Sequence, residues 1–554
     1  MNFFNQFYPL LLLDNLSRFI VLAIILFGVL TIIYSLKFMR GKSGLLQYYI
    51  YIILTTLASI FTVLANNLIL LVILWGFLGL TLYLLINMGE GQASATAKKT
   101  FIIVGGTDSL MILGIAIIWS LGRTFQMDAI NITLNSPLAI FAYLCMALAC
   151  FAKAGAMPLH SWIPDCAQDA PIPVTAFLPA SLDKLLGIYL LARISLHLFV
   201  MNNAMNIFLM VVGAFTIVAA VMMALIQHDL RRLLGYHAVS QVGYMVLGIG
   251  TGSLIGIAGG IFHMLNHAIY KSCLFLTAGD VQHRTNTADL EKLGGLARFM
   301  PITFIGCLIA SLSISGIPPF NGFVSKWMVY QGLIQRISFG QNRFISILCL
   351  AAAMIGSALT LASFMKLLHA TFLGAPSAQK KDVKEVHWTM WSPVMILAIL
   401  CVLFGVFAKQ LPLKNFIFPA VGDVKLIGLW ASNWSTLLIL IGIGLGFVIY
   451  LISNIKKVLR EDDSYTGGEI IPQAQRVSGV DFYNTIKEMA LLKSIYKKAE
   501  DKLFDIYDQG RRLVFVVTRK LQYLHNGVLP TYLVWCLLGM MVLFLILFTP
   551  FKSP

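Results

Sequence analysis

The chain has 554 residues, of which 58% are apolar and only 12% charged, and its mean hydropathy is +0.83. A soluble protein needs roughly a quarter of its residues charged, so a water-soluble enzyme, a disordered chain and a disulfide scaffold are excluded and a multi-span membrane protein is indicated. The net charge of +16 is spread over many short loops with no basic helix or aromatic-basic RNA signature, so it points to cytoplasmic loops of a membrane protein and not to nucleic acid.

Runs of about twenty apolar residues mark the spans. In chain order they are predicted near 16–36, 45–65, 67–88, 101–121, 137–165, 173–195, 206–227, 232–250, 254–280, 301–336, 344–372, 391–409, 433–455 and 531–550, about fourteen in all. The first is preceded by Asp14 and Arg18 and has no cleavage signal, so it reads as a retained span. Two runs are too long and carry breakers: Ala154-Gly155-Ala156-Met157-Pro158 in the fifth and Gly316-Ile317-Pro318-Pro319 in the tenth. Each reads as a single crossing with a broken helix, broken at Gly155 and Pro158 and at Gly316, Pro318 and Pro319. Unwound backbone at membrane depth is tolerated only where it is buried in protein or lines a wet cavity. The breaks lie five spans apart, which predicts two five-helix repeats. Because five is odd, the second is inverted, a recurrent transporter plan.

The expected organisation is an all-α polytopic protein with an N-terminal span in 1–44, repeats in 45–199 and 200–372, two further spans in 373–455, a helical segment in 456–530 and a final span in 531–554. Loops after odd-numbered spans hold Lys37, Arg40 and Lys42; Lys98 and Lys99; Arg231 and Arg232; and Lys380, Lys381 and Lys384. Segment 456–530, with 13 Lys+Arg against 10 Asp+Glu, falls on the same side, which places both termini on the non-cytoplasmic side. After the turn-rich Ser464-Tyr465-Thr466-Gly467-Gly468, residues 481–524 repeat apolar positions at helical spacing, with Ile486, Met489, Leu492, Ile495 and Tyr496 largely on one face. That suits a helix in the membrane interface or against a partner, or a plain cytoplasmic loop. The cysteines Cys145, Cys150, Cys166, Cys273, Cys307, Cys349, Cys401 and Cys536 include no CxxC pair and read as small core residues, with no metal or iron–sulfur site.

Ionisable residues inside spans each cost about 2.5–3.5 kcal/mol at a helix centre, so a chain keeps them only if they are paired, hydrated or used. They are Asp108, Lys153, Asp183, Lys184, His263, His267, Lys271, Lys326 and, at a span end, Lys366. Lys153 immediately precedes the first break, and Asp108 is the nearest intramembrane acid in sequence. Asp183 and Lys184 project about 100° apart on a helix and can face different neighbours. His263, His267 and Lys271 are spaced four apart and form a stripe about 12 Å long. Imidazole offers one donor and one acceptor nitrogen and suits passing protons. The zinc alternative fails because His263-Met-Leu-Asn-His267 lacks the glutamate of H-E-x-x-H. Lys326 follows the second break as Lys153 precedes the first. Lys153, Lys184, Lys271 and Lys326 thus describe a charged axis in the membrane plane. Gly252, Gly256 and Gly260 have small-xxx-small spacing, a helix-packing pattern.

These residues carry a resemblance to the antiporter-like subunits of respiratory complex I, whose relatives occur in energy-converting membrane-bound hydrogenases, formate hydrogenlyases and multisubunit sodium/proton antiporters. The matching stretches are Lys153-Ala-Gly-Ala-Met-Pro-Leu-His-Ser-Trp-Ile-Pro-Asp165, Asp229-Leu-Arg-Arg-Leu-Leu-Gly-Tyr236 with Ser240-Gln-Val-Gly-Tyr244, Phe262 to Lys271, and Gly316-Ile-Pro-Pro-Phe-Asn-Gly-Phe-Val-Ser-Lys326. The likeness runs from about residue 10 to 410 and more loosely beyond. It implies that Lys153 is a first-channel lysine, Lys184 and Lys271 are central-axis residues, His263 and His267 connect them, and Lys326 ends the second half-channel. Three departures stand out. A glutamate that the family places after a tryptophan is Gly76 here, which leaves Asp108 as the best substitute partner for Lys153. The chain resembles the family from its third span onward, so two N-terminal helices would be missing or supplied by another subunit. Residues 456–530 resemble a short lateral helix that reaches neighbouring subunits.

The resemblance implies a proton- or sodium-translocating subunit in the cytoplasmic (inner) membrane of a prokaryote, surrounded by lipid and further antiporter-like subunits. A peripheral redox arm would carry the iron–sulfur, nickel–iron or flavin centres, since no residue pattern of this chain binds one. Alternatives are a sodium/proton antiporter module without redox drive, the membrane half of an inorganic-carbon uptake complex with a zinc hydratase, and a scaffold that has lost pumping.

Overall fold

A computed structural model describes residues 10–340, 342–374, 383–426, 432–452, 480 and 483–548. Several helices start where a short polar side chain holds the first free amides. Asp14 accepts from the Ser17 amide at 2.8 Å while Ser17 Oγ accepts from the Asp14 amide at 2.9 Å, a reciprocal cap for α1 (Asn15–Phe38). Asn67 caps α3 (Leu68–Ile86) and Ser136 caps α5 (Pro137–Ala154). Asn202, Asp229 and Ser253 do the same for α8 (Asn203–Leu225), α9 (Leu230–Gly250) and α10 (Leu254–Thr285). Between these lie α2 (Leu45–Leu64), α4 (Ala93–Gly122), α6 (Trp162–Asp169) and α7 (Ile172–Leu198). The chain continues through α11 (Pro301–Ser315), α12 (Asn321–Ser338), α13 (Arg343–Leu373), α14 (Trp388–Val406) and α15 (Ser432–Ile452). Two-residue strands at Ile132–Thr133 and Phe199–Val200 pair in parallel.

Eleven helices among the described residues are long and apolar enough to cross a membrane. The three other expected spans, near 232–250, 254–280 and 301–336, are helical without meeting that measure. The first two carry the arginines, histidines and lysine of α9 and α10. The third is divided into α11 and α12. The protein is thus an integral membrane protein with multiple apolar helices.

Helix α10 is the hub. Every residue from Ile255 to Val281 is buried, and α7, α9, α11, α12 and α14 pack around it. A helix buried on all sides needs small residues where backbones cross. A Cβ on Gly332 of α12 would lie 2.6 Å from Gly256 Cα, and one on Gly248 of α9 would lie 2.8 Å from Gly260 Cα. Of the three spaced glycines, Gly256 and Gly260 therefore serve these crossings, while Gly252 turns the chain with φ +65°. Seven of the eight cysteines are buried and unpaired; Cys536 is exposed.

Both broken helices end alike. Helix α5 stops at Gly155 with φ 81°, ψ 40°, and α11 stops at Gly316 with φ 80°, ψ 39°. Each is followed by a cis proline, at Met157–Pro158 and Pro318–Pro319, before the chain re-enters helix as α6 or α12. Gly155 takes φ +81°, and a Cβ there would also displace Ile163 Cδ1, 1.8 Å away, so a side chain is strained at the turn.

The chain divides into two compact units, 1–493 and 494–554. In the second, α17 (Ile506–Leu524) and α18 (Leu529–Phe548) have no buried residue. Ser464–Gly468 and the rest of 456–479 lie outside the described residues. Within the expected amphipathic stretch the chain forms α16 (Ala490–Glu500) and α17.

Gly332→Val drives a methyl group into the α10 backbone, an overpacking that costs about 1–3 kcal/mol. It is expected to lower the melting temperature of the detergent-purified protein. Gly442→Val on α15, where a Cβ meets nothing within 4 Å, should leave it unchanged.

Candidate functional site

The ionisable residues expected along the row are buried in the helices. Lys153, Lys184, His263, His267 and Lys271 have 0% exposure and Lys326 has 2%. Lys153 ends α5 just before the first break, and its Nζ lies 3.8 Å from Asp183 Oδ1 on α7. Among the described residues Asp183 is the one carboxylate at ion-pair distance from Lys153, and Asp108 of α4 is not. The pair expected with Asp108 is therefore secondary to one with Asp183. A π-helical turn at Leu178–Leu182 immediately precedes and presents Asp183. Asp108 sits against α3, 3.8 Å from where a Gly79 Cβ would be, with Oδ1 buried and unpartnered. Gly76 is exposed on the outside of the first unit, and a Cβ there meets nothing within 4 Å.

Each of the four lysines Lys153, Lys184, Lys271 and Lys326 faces an aromatic ring. Lys153 Nζ stands 5.2 Å from the Trp75 ring centroid and Lys184 Nζ 5.6 Å from that of Trp162. Lys271 Nζ lies 5.6 Å from both Phe275 and Phe364, and Lys326 Nζ lies 4.8 Å from Tyr244. An ammonium over a ring face keeps part of the electrostatic stabilisation lost with water, about 2 kcal/mol or more when desolvated. Trp162 is fixed for this task by its indole N–H, which donates to Ala152 O at 3.0 Å across the first break. Lys184 Nζ would lie 3.4 Å from a Gly155 Cβ, so it too abuts that break.

The second half of the row is hydrogen-bonded. His263 Nδ1 is 2.9 Å from Ser325 Oγ, and its Nε2 is 3.2 Å from both Gln241 Oε1 and Tyr270 Oη. Ser325 adjoins Lys326, whose ammonium donates to Ile314 O at 2.8 Å and Ser357 Oγ at 3.1 Å beside the second break. Among the described residues the ammonium groups of Lys271 and Lys184 have no hydrogen-bond partner. Lys366 stands apart from the row. Its ammonium donates to Leu225 O at 2.7 Å and Gln227 O at 2.8 Å, at the C-terminal end of α8.

Several participants carry no sequence signal. Asn266 and Asn321 bond reciprocally, Nδ2 to carbonyl and amide oxygen at 3.0 Å each, and clamp the restart of α12 onto α10. Asp280, fully buried at the loop end of α10, accepts from Tyr34 Oη at 3.0 Å and Thr303 Oγ1 at 3.4 Å. The run 254–280 ends at this residue, which hides it as a boundary charge. Near it a cavity of about 470 Å³ is lined by Phe38, Lys42, Glu90, Asp169, Arg231 and Gln282.

Residues 65–356 match the family described as NADH:quinone oxidoreductase/Mrp antiporter, TM. The chain is 34% identical over 440 residues to Na(+)/H(+) antiporter subunit A1 of Staphylococcus haemolyticus (strain JCSC1435), covering 75% of this chain and 54% of the relative. It is 30% identical over 426 residues to Hydrogenase-4 component B of Escherichia coli (strain K12), covering 73% and 63%. It thus spans about half to three fifths of the relatives it matches. A chain of the membrane-bound sulfane sulfur reductase, an archaeal respiratory membrane complex, shares the fold with a TM-score of 0.80 at 22% identity, covering 97% of this chain and 89% of that one.

A double-mutant cycle on Lys153→Ala and Asp183→Asn is expected to show non-additivity in thermal stability, worth about 0.5–3 kcal/mol. The cycle with Asp108→Asn should give a smaller coupling. A larger coupling with Asp108 than with Asp183 would reverse the ranking of the two acids, and equal couplings would remove it.

Proposed function

The chain belongs to the NADH:quinone oxidoreductase/Mrp antiporter transmembrane family, and on that premise we propose that it is a proton-translocating subunit of a redox-driven membrane assembly. The observation that carries this reading is the row Lys153, Lys184, His267, Lys271, His263 and Lys326, each at most 2% exposed. Within it only Lys153 has an acidic partner at ion-pair distance among the described residues. Ammonium groups so placed are costly to keep at membrane depth, so a chain retains them only where they are used, as stepwise proton carriage would use them.

Two half-channels follow from the breaks. In the first, Lys153 takes a proton while paired with Asp183, and passes it towards Lys184 when the pair loosens. Lys271 and the two histidines link the halves, imidazole accepting on one nitrogen and releasing from the other. In the second, the proton moves through His263 and Ser325 to Lys326, at the other break. The matching form of the two breaks supports the inverted-repeat reading, and the basic loops support an orientation with both termini outside the cytoplasm.

Proton is favoured over sodium because a sodium ion needs oxygen ligands and is repelled by a file of ammonium groups. Electrons would belong to partners, a peripheral arm with iron–sulfur, nickel–iron or flavin centres. Further antiporter-like subunits and small spans would complete the membrane part. The 34% identity to a sodium/proton antiporter subunit favours a second reading, exchange without redox drive. Co-purification separates the two: redox subunits for the first, only small membrane subunits for the second.

Lys271→Ala is expected to abolish ion translocation by the reconstituted complex while assembly persists, measured as pH change inside proteoliposomes. Wild-type translocation in that variant removes the proposed axis.

A further inference from the structure

His237 belongs to none of the steps above, yet it is fully buried on α9, two turns in from the Asp229 cap. Its Nε2 lies 2.7 Å from Ser363 Oγ of α13, while its Nδ1 is buried without a hydrogen-bond partner among the described residues. The Phe364 ring stands 4.7 Å away, centroid to centroid, and Lys271 Nζ is 5.6 Å from that same ring. Lys271, Lys326 and Lys366 all act electrostatically on the imidazole, Lys271 most strongly. Three residues beyond Ser363 on α13, Lys366 is bound to Leu225 O and Gln227 O, next to the exposed His228 at the loop end of α8.

These groups form a file from the loop-side surface inwards: Gln227 and Lys366, Ser363, His237, then Lys271. A histidine that only tied α9 to α13 would use one nitrogen and leave the other buried at a cost. A ring with one nitrogen on a hydroxyl and the other without a partner among the described residues, sharing the Phe364 ring with Lys271, is instead built to accept on one side and donate on the other. We propose that His237 and Ser363 form a proton inlet from the loop side that joins the buried row at Lys271. It is separate from the His263–Ser325–Lys326 path. In each passage a proton arrives through the Ser363 hydroxyl at Nε2, the Nδ1 proton leaves towards a deprotonated Lys271, and the tautomer then resets. This rests on the proton-translocation reading.

The test reconstitutes the assembled complex in proteoliposomes with His237→Gln, His237→Leu and, as a reference, Lys271→Ala. Glutamine places an amide where Nε2 stood and keeps the tie to Ser363, so the inlet predicts that both His237 variants slow proton translocation by roughly tenfold or more. If the leucine variant does not assemble, the glutamine variant alone decides. Wild-type rates in His237→Gln, with Lys271→Ala inactive, overturn the inlet and leave the axis standing. Undiminished translocation in Lys271→Ala overturns the underlying reading instead.

Discussion

Positive charge buried without counter-charge is the constraint on which the rest of this structure depends. Four lysines sit at membrane depth, and among the described residues one carboxylate, Asp183, comes within ion-pair distance of any of them. The fold answers with aromatic faces and freed backbone carbonyls. Trp75, Trp162, Phe364 and Tyr244 receive the ammonium groups, and the break in α11 exposes Ile314 O to Lys326. Neither device neutralises a charge as a carboxylate would. The lysines are tolerated rather than satisfied, and that residual instability is what a proton carrier requires.

The broken helices serve the same end. A continuous helix would spend every carbonyl on its own ladder and present no free polar backbone. Gly155 and Gly316 stop their helices in the left-handed region and leave room beside each stop for a lysine side chain. The hub helix α10 then lies between the two breaks, with His263, His267 and Lys271 along one stripe. Close glycine crossings bring α9 and α12 near enough for Gln241 and Ser325 to reach His263.

Much of this was legible in the sequence because it is local. Spans, breaks and the four-residue spacing on α10 are carried by short windows, where hydropathy and helical period act directly. The partnerships were not, because they join residues far apart in the chain. Asp108 stood as the partner of Lys153 by nearness in sequence, whereas the π-helical turn at Leu178–Leu182 brings Asp183 closer. Lys366 looked like another intramembrane charge but caps α8. Asp280 and His237 sit near span boundaries, where a charge has an ordinary explanation, and only the packing of α10, α1 and α13 shows them buried.

The most direct test separates charge from proton exchange at Lys271. Arginine holds its proton at any working pH, so Lys271→Arg keeps the buried positive charge and removes the ability to release it. With the complex assembled in proteoliposomes and internal pH followed by a dye, the account predicts that Lys271→Arg translocates no protons. Translocation at the wild-type rate would show that the buried charge, and not its proton, is what the row supplies.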